Sequence, residues 1–480
     1  MPRWAAAARS LLNMGPWKAP QTESQDPKFS QLGSGEPLPI LPVEIWTTVL
    51  RFAVRLHGSL AEDLPDYFSN CSSEEGNPDP DPGLPKDRAV LIEVCSAFRN
   101  IVTEISMEYM LIRSEKDLEH FANLAICVRH TSDGQRLGDL ARRIDLHILG
   151  HYKVQHLSTL LQYTPNLLTF RICNGGNKEV LARLPRQTMA ALMMHGRNLR
   201  RIDFASPAEA PSLQDLVDIS RNLHFLKTLH LLCIHSYPID RETIVKMPTL
   251  RFSSLETLSL GLIPEIGPIV PPTYSMTWDP LVALLSKAPA QQLPNLHRLE
   301  TDIFPSHAMH FFTAHGHKLH TLRTTTWTAA DNLPTALKYC PNLKDLILSH
   351  CGGHLNFTVP THHPTIQRLC IAPMSQELSR EAPDRIFRYV VVDPVDELLQ
   401  VLEKFDSPAW SELRIKNTGT YTGLHNHHVW LNTWWRRWNI RGVVLCDKDG
   451  VSYRDTGTEG ELALNNILES KAVLQKHLVT

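Results

Sequence analysis

Histidine is the residue type that most strongly suggests chemistry in this chain, with 24 among 480 residues. Its tightest groups lie at 350–354, 362–363 and 425–428. A structural zinc site needs four ligands, usually in two closely spaced pairs that include cysteines. The nine cysteines are scattered and form no C-x-x-C pair. We therefore expect surface histidines, no metal and no other cofactor.

Other short motifs also argue against catalysis. The stretch DKDG at 447–450 resembles the start of a calcium loop, but its twelfth position is not a glutamate, so a hairpin turn is the better interpretation. The sequence holds no phosphate-binding glycine loop and no G-x-S-x-G elbow. We predict that the chain is not an enzyme. An active site assembled from distant residues remains an alternative that sequence patterns do not address.

Composition limits the classes of partner and the compartment. The net charge is -2, and no long run of apolar residues occurs, which argues against binding to nucleic acid and against a membrane span. The odd, dispersed cysteine set is typical of reduced thiols in a cytoplasmic or nuclear protein. Residues 1–38 are predicted to be a disordered lead-in. Their first twenty residues carry Arg3, Arg9 and Lys18 without an acid, as a mitochondrial presequence also would.

The ordered part is predicted to begin with a short helix in LPVEIWTTVLRF, residues 41–52. Pro42 and Glu44 suit a first helical turn. Ile45, Val49 and Phe52 recur at helical spacing beside a second apolar line, so the helix needs a partner for a spare apolar face. Residues 57–88 follow, rich in acid and proline, and predict a solvated loop. A second amphipathic helical pattern runs over 88–112.

From about residue 137 one phrase recurs eight times: an apolar anchor, two variable residues, then alternating apolar positions. The anchors are Leu167, Leu199, Leu226, Leu255, Leu296, Leu319, Leu343 and Ile366. The last four are 23, 24 and 23 residues apart, within the range of leucine-rich repeats. A helical pattern precedes most phrases. This predicts an α/β fold in which residues 137–420 form a curved solenoid of alternating helices and strands, with a two-layer α/β domain as the alternative.

Residues 421–480 differ again and are predicted to cap the open end of the array. Trp430, Trp434 and Trp438 share one face of a predicted helix. This face is interpreted either as buried packing in the cap or as part of a ligand surface, since tryptophan is common at binding hot spots.

The two helical segments together resemble an F-box, a motif that opens L-P-x-E-[IL] and later reads V-C-[KR]-x-[FW]. The matching positions are Leu41, Pro42, Glu44, Ile45, Val49, Leu50, Val94, Cys95, Phe98 and Ile101. With repeats behind it, the chain is similar to the fungal F-box proteins with degenerate leucine-rich repeats. Residues 39–112 would be the F-box-like domain. Two departures are the acidic insert at 57–88 and Ser96 where a basic residue is common.

The resemblance implies a substrate receptor of a cullin-type (SCF) ubiquitin ligase. Its F-box would bind the Skp-type adaptor through the ten matching residues and Trp46, and its repeats would bind an unknown protein substrate. The alternative is a solenoid interaction scaffold unconnected to ubiquitin ligation. Arg200, Arg201, Lys227 and Arg323 on the repeats are available to read a phosphate, although solvation is the expected state of such side chains.

Overall fold

The structure is a computed structural model of the chain. It describes residues 42–54, 62–64, 66–69, 84–128, 135–148, 152–173, 182–206, 209–235, 246–261, 278–301, 308–326, 332–350, 358–373, 393–415, 428–447 and 450–453. The chain divides into two compact units, residues 1–49 and 50–480. The predictions for residues 1–38, including a targeting segment, and for Leu41 lie outside the described residues.

The described part of the chain contains thirteen α-helices. They are α1 (Val43–Val54), α2 (Leu84–Val94), α3 (Ser96–Glu108), α4 (Glu115–Ile126), α5 (Val154–Gln162), α6 (Arg186–His195), α7 (Leu213–Asn222), α8 (Asp279–Leu285), α9 (Pro289–Gln292), α10 (Ala308–His315), α11 (Leu333–Lys338), α12 (Asp393–Leu402) and α13 (His428–Ile440). None of these described helices has the length and hydropathy needed to cross a bilayer.

Fourteen strands lie in the same described ranges. They are β1 (Tyr109–Ile112), β2 (Arg143–Leu146), β3 (Thr169–Ile172), β4 (Ala182–Arg183), β5 (Arg201–Phe204), β6 (Glu209–Ala210), β7 (Thr228–Leu231), β8 (Thr257–Leu260), β9 (Arg298–Thr301), β10 (Thr321–Thr325), β11 (Asp345–His350), β12 (Arg368–Pro373), β13 (Glu412–Ile415) and β14 (Val444–Cys446). Strands β4 and β6 form a separate pair.

The other twelve strands form one open parallel sheet in the order β1-β2-β3-β5-β7-β8-β9-β10-β11-β12-β13-β14. Each strand therefore lies beside the next large-sheet strand along the chain, and every pairing between them is parallel. A parallel neighbour requires a crossover connection, which is why helices alternate with strands. The predicted α/β class is confirmed.

The eight recurring phrases occupy equivalent places in this sheet. In each phrase the strand begins two residues after the apolar anchor, as β3 begins at Thr169 after Leu167 and β11 at Asp345 after Leu343. All eight anchors are buried in one continuous hydrophobic core. The next apolar position, such as Leu229 in β7 or Leu258 in β8, belongs to the same core. Period-two alternation thus gives the sheet one apolar face.

Asparagine side chains link successive repeats at the turn before the strand. The Nδ2 atoms of Asn166, Asn198, Asn295 and Asn342 each donate to a carbonyl of an earlier turn, at 2.6–2.9 Å. These residues immediately precede the anchor leucines in the phrase N-L. In these four phrases the asparagine therefore joins each turn to an earlier one by a side-chain hydrogen bond.

The predicted helix over 88–112 is wrong in two respects. Cys95 interrupts it, because its backbone is extended and its Sγ accepts a hydrogen bond from the Phe98 N–H, which makes Cys95 the N-cap of α3. Residues 109–112 are strand β1, the first strand of the sheet. All four residues of β1 are buried, since Tyr109 and Leu111 pack with the α1–α3 helices while Met110 and Ile112 join the repeat core. The sheet therefore begins before residue 137.

In the described part of the predicted cap, β14 pairs with β13 and forms the last strand of the sheet. Trp434 and Trp438 of α13 are buried, which supports the packing interpretation of the tryptophan face. Both Trp430 and Trp434 donate through Nε1 to Oδ1 of Asp396, at 2.6 and 2.7 Å. Cys446 and Ser452 form an antiparallel bridge on either side of the turn predicted at DKDG, whose central residues 448–449 lie outside the described residues.

His315 at the end of α10 makes stability depend on pH. Its ring is fully buried, its Nε2 lies 2.8 Å from the Leu285 carbonyl, and its Nδ1 lies 3.3 Å from Lys318 Nζ. Burial lowers the pKa of His315 to about 4 from 6.5. The unfolded chain therefore binds more protons than the folded chain between these values, and acidification through this window destabilises the fold.

We expect this group to lower the free energy of unfolding by about 1.4 kcal/mol for each pH unit below about 6.5, levelling off near pH 4. Urea unfolding at pH 7 and pH 5, for the wild type and for His315→Gln, measures the effect. The variant should show a shallower loss of stability on acidification. An identical pH dependence in the two proteins would contradict the assignment to His315.

Candidate partner-binding surfaces

The beginning of α1 presents an open apolar side. The carbonyl of Pro42 accepts hydrogen bonds from the N–H groups of Ile45 and Trp46, which closes the first helical turn. Ile45 and Val49, four residues apart and therefore on the same side of the helix, are 46% and 44% exposed. Glu44 in the first turn is also exposed. These predicted adaptor-binding side chains are available to a partner.

The other predicted adaptor-binding residues, in the unit 50–480, divide into two groups. Leu50 is buried in a cluster with residues of α3 and β1, and Phe98 and Ile101 pack against that cluster. These three side chains pack within the helical cluster. Val94 and Cys95, at the α2–α3 junction, are exposed. Phe52, which was not among the predicted site residues, is 68% exposed.

Arg88 fixes α2 to its neighbours and was not singled out by the sequence. Its guanidinium is buried and donates to the carbonyls of Val54 and Tyr109, at 3.0–3.3 Å. It also lies over the Tyr109 ring, 5.5 Å from the centroid. Burial lowers the pKa of Arg88 to about 10, which leaves it charged at neutral pH. One arginine thus holds the end of α1 and the start of the sheet together.

The sheet face opposite the apolar anchors is polar, and it is largely buried. Arginine and carboxylate alternate two residues apart on single strands, so both side chains point to the same face. The pairs are Arg143–Asp145, Arg201–Asp203, Arg298–Glu300 and Glu412–Arg414. The sequence signal that marks them is R-x-[DE] or E-x-R within a strand. In these four pairs the charge of the arginine is therefore neutralised within its own strand.

Neighbouring strands add further ion pairs to this polar face. Glu300 accepts from Arg298 on its own strand and from Arg323 on β10, the latter at 3.0 Å. Burial by itself would raise the pKa of Glu300, but the two guanidinium groups outweigh it and hold that pKa below its usual range. Arg368 reaches Asp345 on β11 at 2.6 Å. The charges thus form a network across strands.

Two described stretches of the predicted solvated loop, 62–64 and 66–69, lie against this polar face. Together they are called the segment 62–69, of which residue 65 lies outside the described residues. Arg200 pairs with Glu62 at 2.7 Å. The next acid, Asp63, accepts from Thr228 Oγ1 at 2.9 Å through its side chain, and its carbonyl accepts from Arg201. The prediction that the insert is a solvated loop is therefore wrong for 62–64 and 66–69, because arginines of the sheet attract its acids and carbonyls. It is also wrong for 84–88, which form the start of α2.

The second half of the segment is held by aromatic contacts. Tyr67 and Phe68 are buried against Ile347, Cys370 and Ala372. These three apolar residues on β11 and β12 interrupt the polar face. Burial raises the pKa of the Tyr67 hydroxyl, which stays protonated. Aromatic side chains of this size contribute large contact areas.

Arginine guanidinium groups cover the faces of both rings. Arg323 lies 4.8 Å from the Tyr67 ring centroid, and Arg368 lies 4.3 Å from that of Phe68. Arg414 is also near Phe68 and donates to the Ser69 carbonyl at 2.9 Å. These are cation–π distances, and they fix the aromatic pair in one orientation.

Two of the four basic residues expected to be solvated are buried instead. Arg201 and Arg323 are about 98% shielded from water because the segment 62–69 and their carboxylate partners surround them. Arg200 is exposed and pairs with Glu62, and Lys227 is half-buried and pairs with Glu256. The solvation expected for Arg201 and Arg323 is therefore wrong, since these two side chains lie on the covered face of the sheet.

The predicted histidine groups do not assemble a metal site within the described ranges. No group of three or more His, Cys, Asp or Glu side chains there is placed to hold a metal ion. His363 is buried, whereas His362 is exposed and lies 3.5 Å from Asp406. His354, His425 and His427 lie outside the described residues.

No protein-family model matches the chain, and no curated protein sequence is significantly similar to it. Membership of the F-box family therefore stays a prediction that rests on the residues quoted for it.

Proposed function

We propose that this chain is a non-catalytic substrate-recognition subunit of a cullin-type (SCF) ubiquitin ligase. The beginning of α1 would bind the Skp-type adaptor, and the repeats would bind a protein substrate. The observation that carries the proposal is the exposure of Ile45 and Val49 within the segment that resembles the opening of an F-box. Exposed aliphatic side chains one helical turn apart are the anchors by which a helix enters an apolar groove.

The repeat region supports the second half of the proposal. We propose that its strands and helices stack as a curved leucine-rich-repeat-like solenoid, because eight phrases place their strands in the same register relative to a buried anchor. Such arrays offer extended binding surfaces made of side chains from many strands. Cytoplasm and nucleus are the compartments in which this function would operate.

Capture on an immobilised, purified Skp-type adaptor tests the proposal. The wild-type chain should be retained, and the double variant Ile45→Asp, Val49→Asp should bind at least tenfold more weakly, because two charges would enter an apolar interface. Phe225→Asp is the matched control, since Phe225 is 62% exposed and lies just before β7. It should bind as the wild type does.

Wild-type binding by the double variant would contradict the proposed docking surface. A wild-type chain that does not bind the adaptor at all would instead favour the second candidate function, an interaction scaffold unconnected to ubiquitin ligation. That candidate keeps the repeats as a binding surface and assigns the α1 helix to packing alone.

A further inference from the structure

The segment 62–69 contacts the polar face of the sheet in the way that a bound peptide contacts a receptor. Arginines from three strands donate hydrogen bonds to its backbone carbonyls. Arg201 donates to Asp63, Arg298 to Leu64 and Arg414 to Ser69. The segment crosses the strands, and its hydrogen bonds to the sheet come from side chains of the sheet. This arrangement binds the backbone of a peptide without adding a strand to the sheet.

Most of the charge on the polar face is balanced within the sheet. Arg201, Arg298 and Arg414 each have a carboxylate partner on their own strand, in Asp203, Glu300 and Glu412. Removal of the segment would take away Asp63, which lies 3.7 Å from Arg298. Each of the three arginines would still keep a carboxylate partner in the sheet, and Arg298 would share Glu300 with Arg323. The face can persist as a binding surface when the segment leaves.

The fit between the segment and the face is incomplete in the middle. Thr257 Oγ1 and Ser259 Oγ on β8 are buried, and neither has a hydrogen-bond partner among the described residues. Strand β8 lies between β7, which contacts Asp63 through Thr228, and β9, which contacts Leu64 through Arg298. Buried hydroxyls normally find partners. An occupant with another acceptor at this point would fit the face better than the segment does.

We propose that the polar face binds an acidic segment of a protein substrate that carries two adjacent aromatic residues, and that residues 62–69 are a resident mimic which this substrate displaces. The acidic side chains of the substrate would bind at Arg200 and Thr228, where Glu62 and Asp63 bind now. Its two aromatic side chains would pack against Ile347, Cys370 and Ala372. The proposal deepens the proposed function by naming the substrate class. Binding of the peptide itself needs no adaptor.

The test uses the full chain and a fluorescent synthetic peptide with the sequence of residues 61–70, AEDLPDYFSN. In the variant Tyr67→Ala, Phe68→Ala the resident segment loses its aromatic anchors, so the peptide should bind at least tenfold more tightly than it binds to the wild type. A peptide with both aromatic residues replaced by alanine, and a scrambled peptide, should bind at least tenfold more weakly than the parent. Arg200→Ala in the variant background should weaken binding severalfold.

Equal binding of the parent and scrambled peptides by a folded variant would overturn the proposal. A measurement on the wild type decides the matter even if the variant does not fold: hydrogen exchange at the amides of 62–69. Exchange of these amides well before global unfolding is expected of a displaceable segment. Exchange only with global unfolding would show a permanent part of the core. Because no adaptor is present, peptide binding and adaptor capture succeed or fail separately.

Discussion

Replacing Glu300 with alanine is expected to lower the free energy of unfolding by about 3–5 kcal/mol. Glu300 is fully buried and is the shared partner of Arg298 and Arg323. Without it, two guanidinium groups on the covered face of the sheet would lose a buried carboxylate, and they cannot discharge at neutral pH. Urea unfolding monitored by circular dichroism measures the change.

Glu256→Ala is the matched control for this prediction. Glu256 pairs with Lys227 at 3.0 Å, but the two side chains are 39% and 42% exposed to solvent, so the variant should lose less than about 1 kcal/mol. A loss below about 1 kcal/mol for Glu300→Ala as well would show that the polar face is solvated and not a buried network.

The same ion pairs predict how the stability of the fold changes with pH. Because the pKa of Glu300 is held below its usual range in the folded chain, its stabilising contribution is present above the ordinary glutamate pKa. The contribution is lost as the pH falls through the lower pKa of the folded state, so it opposes acid unfolding only above that point.

Trp438→Ala should cost about 3–5 kcal/mol, because it removes a fully buried indole from the last helix of the described chain. Trp438 packs against Trp410 and Trp434, with ring centroids 4.9 and 6.2 Å away. Arg441 also lies 5.0 Å from the Trp438 ring centroid. Thermal and urea unfolding of the variant would both report the loss.

Ile440→Ala on the same helix serves as the control. Ile440 is 86% exposed, and the substitution should change stability by no more than about 0.5 kcal/mol. If Trp438→Ala were equally mild, the packing of α13 against the end of the sheet would contribute little to the fold.

The repeated part of the fold was predictable because its signals are local. An anchor leucine, two variable residues and an alternating strand lie within seven residues, so one phrase specifies a strand, its buried face and its start. The same logic missed β1, where Tyr109–Ile112 is apolar at every position and continues a helical pattern. A strand buried on both faces has no alternation, so only its pairing with β2 distinguishes it.

The docking of residues 62–69 was not predictable from local pattern. Acid and proline content favours a solvated chain, and the contacts that order this segment come from far along the sequence. Glu62 meets Arg200, 138 residues later, and Ser69 meets Arg414, 345 residues later. The only local signal was the pairing of arginine with carboxylate two residues apart in several strands, which indicates a covered polar face.

The candidate adaptor surface was predictable in part. The motif residues Ile45 and Val49 are exposed, whereas Leu50 of the same motif is buried. A sequence match does not distinguish residues that touch a partner from those that hold the helix, because both are apolar and both recur at helical spacing.

Isothermal titration calorimetry, in which purified Skp-type adaptor is added to the full chain, tests the central proposal most directly. We expect a one-to-one complex with a Kd of about 1 μM or lower. Absence of binding at adaptor concentrations of about 100 μM would contradict the proposal that this chain is a subunit of a cullin-type ubiquitin ligase.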